Sequence, residues 1–91
     1  MKKTFLLGQI LATPGALAAC EEAGVSPFTY LIRHMRQDWG DLSTSDQKLN
    51  DQALLDGSRI LSAYILPGGA KLWIITEWDR SATTILLPSE Y

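Results

Sequence analysis

The last third of the chain contains three short segments that are rich in β-branched and aromatic residues. These segments are residues 59–66, 71–77 and 83–87. A Pro-Gly-Gly turn at 67–69 separates the first two, an Asp-Arg-Ser turn at 79–81 separates the second from the third, and Pro88 follows the third. This alternation of strands and turns predicts a three-stranded antiparallel β-meander.

Both faces of the predicted sheet carry apolar side chains, because successive residues of a strand point to opposite faces. On the middle strand one face holds Leu72, Ile74, Thr76 and Trp78, and the other holds Lys71, Trp73, Ile75 and Glu77. We expect helices to cover one of these faces. The face of Trp73 and Ile75 then has too few helices to cover it, which predicts a homodimer or another protein against it.

Three helices are predicted before the meander. They span residues 14–23, 27–37 and 44–56. Each follows a side chain that can accept a hydrogen bond from the first helical turn, namely Thr13, Ser26 and Ser43. Proline stands at the first position of the first two helices and glycine follows the first and the third, as is common at helix starts and ends.

The second helix carries an apolar stripe at helical spacing. Its members are Phe28, Leu31, Ile32 and Met35. We expect this stripe to pack against the rest of the fold. The intervening residues Arg33, His34, Arg36 and Gln37 should then form a basic, solvent-exposed face.

Residues 5–12 form an extended lead in which residues 8–11 are a candidate edge strand. The basic start, the apolar run and the small residues before Cys20 also resemble a bacterial lipoprotein signal. Gln9 and the Thr-Pro-Gly sequence at 13–15 interrupt that run, which favours the folded interpretation. The expected fold class is α+β, with two to three N-terminal helices followed by the meander in a single domain over residues 1–91.

The composition narrows the class of partner. Hydrophobic residues at 46% and charged residues at 20% are typical of a globular domain and argue against disorder and against a membrane protein. The 8 basic and 10 acidic side chains give a net charge of −2, which argues against strong nucleic-acid binding, because such binding needs clustered Lys and Arg. The lone Cys20 cannot form an internal disulfide, which suits a cytoplasmic protein.

The residues most capable of chemistry lie around the turn between the second and third strands. Glu77, Asp79 and Arg80, joined by His34 from the second helix, could form a general acid–base site or a phosphate-binding corner like those of small RNases. The alternative is structural: Asp79 and Ser81 satisfy the backbone of an ordinary turn, and Arg80 pairs with Glu77 or Asp79. We favour the structural interpretation, because a lone histidine has no fixed partner in the sequence.

The loop around Trp39 is a second candidate. Either Trp39 plugs the end of the core while Gly40 supplies a positive φ, or the loop recognises a partner. The candidate binding residues of the whole chain are Trp39, Asp41, Trp73, Trp78 and Arg80. No metal site and no cofactor is expected, because one His and one Cys separated by a helix break do not make a ligand set.

Most of the chain also carries a family resemblance. The segments that carry it are residues 8–17, 34–41, 50–54, 59–64 and 73–88. Together they resemble a family of small bacterial proteins that bear plasmid-related or hypothetical labels, and in some cases a restriction-subunit label. The resemblance implies that the first twenty residues belong to the fold and that the gene lies on plasmids, integrated elements or phages. It implies no activity, cofactor or catalytic residue.

We therefore expect a small non-catalytic protein of a mobile genetic element that binds and modulates another protein, such as a host or defence protein, in the cytoplasm. The surfaces expected to do so are the open sheet face and the Trp39 loop. One alternative is a small enzyme or nucleic-acid processing factor that uses His34, Glu77, Asp79 and Arg80. A further alternative is a lipidated envelope protein.

Overall fold

The computed structural model describes residues 4–91, which form an α+β fold. Its helices are α1 (Pro14–Ala23), α2 (Pro27–Met35) and α3 (Thr44–Asp56). Its strands are β1 (Gln9–Ala12), β2 (Ile60–Ile65), β3 (Lys71–Thr76) and β4 (Ala82–Leu86), and a short 3-10 helix, Pro88–Glu90, follows β4. Within the described chain, no helix has both the length and the apolar character needed to cross a membrane.

The four strands form one mixed sheet in the order β1-β4-β3-β2. The predicted antiparallel meander is present as β2, β3 and β4, with Ile60 opposite Thr76 and Trp73 opposite Leu86. The meander is not the whole sheet, however, because β1 precedes the helices and pairs in parallel with β4. The candidate edge strand is therefore confirmed. Its parallel direction requires a long crossover, which the three helices and two strands between β1 and β4 provide.

All three predicted N-caps are confirmed. The side chains of Thr13, Ser26 and Ser43 each accept a hydrogen bond from a backbone N–H of the following turn, at 3.1, 3.2 and 3.2 Å. Helix α2 ends at Met35, two residues before its predicted end. It stops there because Gln37 has a φ of +65°, which lies outside the right-handed helical region.

Helices α1 and α2 cover one face of the sheet and form the main core with it. This core consists of Ala16, Cys20, Tyr30, Leu31, Tyr64, Leu66, Leu72, Ile74 and Ile85. Burial raises the pKa of the Cys20 thiol, which keeps this side chain neutral and suits a small apolar role in the core.

The predicted orientation of α2 is wrong. Of its apolar stripe only Leu31 is buried, and the other three members are 47–62% exposed: Phe28, Ile32 and Met35. The helix buries Tyr30 and His34 in their place. Both rings are tolerated inside because the sheet offers partners: Tyr30 packs on Tyr64 with ring centroids 5.3 Å apart, and the imidazole is hydrogen-bonded at both nitrogens.

The opposite face of the sheet is covered in part by the chain itself. The ring of Tyr91 packs against Trp73 with centroids 5.8 Å apart, and Ile75 is only 3% exposed. Helix α3 packs against β2, and a groove of about 580 Å³ remains between this helix and the strands. The sheet face of Trp73 and Ile75, which the sequence predicts to lie open, is therefore largely covered at Ile75.

Candidate functional site

His34 lies at the centre of a buried hydrogen-bonded network between α2 and the sheet. Its Nδ1 is 2.5 Å from Ser62 Oγ on β2, and its Nε2 is 2.9 Å from Thr76 Oγ1 on β3. Thr76 Oγ1 is in turn 2.8 Å from Thr83 Oγ1 on β4. All four residues are fully buried, so this polar network crosses the core over three strands.

The far end of this network fixes the direction of each hydrogen bond. Thr83 donates its hydroxyl to the carbonyl of Leu7 at 2.7 Å, so it must accept the hydroxyl proton of Thr76. Thr76 then accepts the Nε2–H of His34, and Nδ1 accepts the hydroxyl of Ser62. The imidazole is therefore neutral with its proton on Nε2. Burial favours this form, because desolvation lowers the pKa of His34 to about 4.

A serine beside a histidine has the composition of a nucleophile and its base. Here Ser62 and His34 are both fully buried, and Phe5 and Trp39 pack edge-on against the imidazole at centroid distances of 5.4 and 5.9 Å. A substrate cannot contact either side chain in this conformation. The network therefore satisfies buried polar groups and fixes α2 on the sheet.

Arg80 binds backbone carbonyls and not the neighbouring carboxylates that the structural interpretation expected. Its Nη1 donates to the carbonyls of Ser58 and Glu77 at 2.7 and 3.1 Å, and its Nη2 donates to the carbonyl of Ala53 at 3.1 Å. Ala53 belongs to the last turn of α3, where the helix dipole favours a cation, and its carbonyl accepts the N–H of Gly57 as well as the guanidinium. Arg80 thus ties the β3–β4 turn to the end of α3.

Glu77 and Asp79 do not join His34 and Arg80 in a common site. Asp79 accepts hydrogen bonds from Ser81 in the turn, which hold the pKa of its carboxyl below the usual value. The Glu77 side chain is exposed. Within residues 4–91, no hydrogen bond or ion pair joins the side chains of any two of these four candidates. The acid–base constellation considered from the sequence is therefore not assembled.

The Trp39 side chain is 4% exposed and lies in a small core cluster with Ala53 and Ile60. Its indole Nε1 donates to Asp51 Oδ1 at 3.1 Å. Gly40 has a φ of +77°, and a Cβ at this position would overlap the carbonyl oxygen of the adjacent strand β2. The core-plug interpretation of this loop is confirmed, and the Trp39 ring is not presented to a partner.

The loop that follows Trp39 runs along the outer edge of β2. Ala63 donates its N–H to the carbonyl of Trp39 at 3.2 Å and accepts the N–H of Asp41 at 2.6 Å. The Asp41 carboxylate also accepts the N–H of Ile65 at 2.9 Å. Asp41, a candidate binding residue, therefore has a structural role in closing this edge.

The two remaining candidate binding residues differ in exposure. Trp78 stands in the β3–β4 turn and is 68% exposed. Trp73 is half-buried under Tyr91 and lines the groove beside α3 together with Lys71 and Arg59. The guanidinium of Arg59 lies 5.6 Å from the centroid of the Tyr91 ring. The groove thus combines an aromatic wall with cations, while the opposite wall carries carboxylates of α3.

Helix α2 exposes an apolar surface whose residues the sequence pattern predicts to lie in the core. Phe28, Ile32 and Met35 lie at positions i, i+4 and i+7 of α2, which puts them on one side of the helix. We call these three residues the α2 apolar face. Their periodicity is visible in the sequence. What the sequence could not show is that the polar network around His34 turns this periodic stripe outward.

Cationic side chains stand beside the α2 apolar face. Arg33 forms an ion pair with Asp38 at 2.7 Å and lies 4.7 Å from the ring centroid of Tyr64. Arg36, at the end of the helix, is exposed and forms no ion pair with any described residue. The face therefore has an apolar centre and an available positive charge at one end.

Among residues 4–91, no group of three His, Cys, Asp or Glu side chains is placed to hold a metal ion. Comparisons of the chain with protein-family models, with curated proteins and with solved structures found no match. The α2 apolar face is exposed, whereas the network around His34 is closed to ligands.

Proposed function

We propose that this protein is a non-catalytic binding module of a mobile genetic element, which docks the α2 apolar face onto another protein and thereby modulates it. The observation that carries this proposal is the exposure of Phe28, Ile32 and Met35 on the helix whose polar residue His34 is buried. Helices of globular proteins normally bury their apolar stripe. A stripe that faces outward is a common feature of protein interaction surfaces.

The geometry of the face suggests the chemistry of the partner. Apolar anchors at i, i+4 and i+7 match a helix that lies in an apolar groove of another protein. The partner groove should carry a carboxylate near Arg36, which has no ion pair among the described residues. Burying three half-exposed side chains contributes on the order of 3 kcal/mol to such a complex.

The family resemblance supports the setting of the proposal. Short acidic proteins of plasmids, integrated elements and phages often act by binding a host or defence protein. The net charge of −2 is compatible with such a partner and does not favour a nucleic-acid surface. The Ser62–His34 pair and Arg80 are both committed to internal hydrogen bonds, which favours binding over catalysis.

Affinity capture from a lysate of the native host tests this proposal. The baits are the wild-type protein, Ile32→Glu on the α2 apolar face, and Leu55→Glu as the matched control. Leu55 is a 65% exposed leucine on α3, so its substitution adds the same charge at another exposed apolar position. We expect a stoichiometric protein partner that is retained by Leu55→Glu and lost with Ile32→Glu.

The captured partner is then purified and its affinity for each variant is measured. We expect Ile32→Glu to weaken binding by at least about tenfold, because a charge replaces a buried apolar anchor. Equal binding by both variants would place the interface elsewhere. Capture of no partner by a folded bait would count against the binding function itself.

A further inference from the structure

The two edges of the sheet differ in whether their outward-facing backbone groups already have hydrogen-bond partners. On the β2 edge, the side-chain amide of Asn50 accepts the N–H of Leu61 at 3.1 Å and donates to its carbonyl at 2.6 Å. The backbone of Ala63 and the N–H of Ile65 are satisfied by the loop after Trp39. Both backbone groups of Leu61 and Ala63 and the N–H of Ile65 are therefore already used on this edge.

The β1 edge is open. Gln9 and Thr13 direct their N–H groups to carbonyls of the β4 side at 3.0 Å each. Backbone groups alternate in direction along a strand, so those of Ile10 and Ala12 point away from β4. Within the described chain, no other strand pairs with β1, and all four of its residues are exposed.

β1 is only four residues long, which limits pairing, but its side chains lack the other usual protection. Exposed edge strands commonly carry charges, bulges or prolines that prevent association with another strand. Residues 4–20 contain no charged side chain at all. Ile10 and Leu11 are 47% and 42% exposed and point to opposite faces of the strand. Each side of the edge therefore presents an exposed apolar residue, beside the uncharged Gln9, and one carboxylate, that of Glu90, accepts the hydroxyl hydrogen bond of Thr13 just after the strand at 2.6 Å.

We infer that β1 pairs with β1 of a second copy of this protein, in antiparallel fashion, and joins two four-stranded sheets into one of eight strands. A second copy fits because an isologous contact places identical residues near one another, which an uncharged edge permits without like-charge repulsion. The inference is independent of the partner proposed for α2.

The directions of the backbone groups limit the register, because an antiparallel pairing must place outward-facing residues opposite one another, and the register that uses both Ile10 and Ala12 forms the most hydrogen bonds within β1. Because Ile10 and Ala12 face outward, each Ile10 pairs with Ala12 of the other copy through two hydrogen bonds, and the two-fold axis passes beside Leu11. The two Leu11 residues then form a non-hydrogen-bonded pair with their Cα atoms about 4.5 Å apart. This close pair is the centre of the inferred contact.

The mass in solution, measured by sedimentation equilibrium from about 1 to 300 μM, tests the inference. We expect the wild-type protein to reach a dimer mass in this range and Leu11→Lys to remain monomeric, because two lysines would meet at the axis. Ile65→Lys is the matched control, since Ile65 is a 54% exposed isoleucine on the closed β2 edge. This control and Ile32→Glu should both remain dimeric.

A covalent measurement tests the register. Leu11→Cys should form an intermolecular disulfide on mild oxidation, whereas Ile65→Cys should not. The native thiol does not interfere, because Cys20 is 1% exposed. A wild-type protein that stays monomeric at all concentrations would overturn the inference. The β1 edge would then be available only for a strand of a different protein. A dimer that survives Leu11→Lys, or one lost in Ile65→Lys or Ile32→Glu, would also overturn it.

Discussion

His34 donates its Nε2–H to the hydroxyl of Thr76 at 2.9 Å, and this direction is imposed by Thr83, whose own proton is used on the carbonyl of Leu7. A neutral imidazole is therefore built into the core. The same arrangement orients α2, because its residue 34 is fixed over the sheet and residues 28, 32 and 35 are left on the outer side. A buried polar contact thus creates the exposed apolar surface.

The network around His34 should make stability depend on pH. The pKa of His34 is about 4 in the folded protein and near 6.5 when unfolded. Between these values the unfolded chain binds a proton that the folded chain does not, so the free energy of unfolding falls as the pH is lowered from 6.5 to about 4. The expected loss is on the order of 3 kcal/mol, and urea unfolding at pH 7.5, 5.5 and 4.5 measures it.

Carboxylates also titrate at the acid end of this range, so the histidine has to be observed separately. His34 is the only histidine in the chain, which makes its imidazole resonances simple to assign by NMR. We expect the Nε2–H tautomer at neutral pH and no protonation of the folded protein above about pH 5. Titration near the ordinary pKa of 6.5 would contradict the closed network.

Arg80 should be a stabilising residue. Arg80→Ala removes donors to three carbonyls at the end of α3 and in the neighbouring loops, and should cost about 1–3 kcal/mol in the free energy of unfolding. Arg80→Gly should cost less, because glycine adopts the φ of +59° at this position without strain. Arg36→Ala, at an exposed arginine without an ion pair in the described chain, is the control and should be close to wild type. An equal effect of the Arg80→Ala and control substitutions would contradict the tie between the turn and α3.

Two glycines with the same backbone conformation should respond differently to alanine. Gly40 and Gly57 have φ values of +77° and +80°. A Cβ at Gly57 meets nothing within 4 Å, whereas a Cβ at Gly40 overlaps the carbonyl oxygen of Ala63. Gly57→Ala should therefore cost only the conformational term of about 1–2 kcal/mol, and Gly40→Ala about 1–3 kcal/mol more. Thermal unfolding of the two variants measures the difference, and equal melting temperatures would argue against the close pairing of the loop with β2.

The two neighbouring residues Leu31 and Ile32 test the orientation of α2. Leu31 is 4% exposed and Ile32 is 47% exposed. Leu31→Ala should destabilise the fold by about 2–5 kcal/mol, whereas Ile32→Ala should cost less than about 1 kcal/mol. Denaturant unfolding of both variants gives these values. The reverse order would mean that the periodic stripe of α2 lies in the core after all.

Local signals in the sequence were sufficient for much of the fold. Caps such as Thr13 and Ser43, and stops such as Gly24 and Gly57, act within one helical turn, so the bounds of α1 and α3 could be predicted from neighbouring residues alone. The parallel pairing of β1 with β4 joins residues more than seventy positions apart and has no comparable local signal.

The side chains around His34 show why the candidate site could not be predicted. Ser62, Thr76 and Thr83 are ordinary strand residues in the sequence, and only the sheet register aligns them under α2. Burying a histidine there is favourable once both ring nitrogens have partners. Helical periodicity alone assigned the apolar residues to the core, because it records which residues share a side and not which side faces inward.

The outward-facing α2 apolar face is the proposed binding surface, and site-specific photo-crosslinking in the native host tests this role most directly. A benzophenone amino acid replaces Phe28 in one protein and Leu55 in another, two positions that are 62% and 65% exposed. We predict one defined crosslinked partner protein from position 28 and none from position 55. The same yield from both positions, or no crosslink from position 28 in a folded protein, would contradict the proposal that α2 is the binding surface.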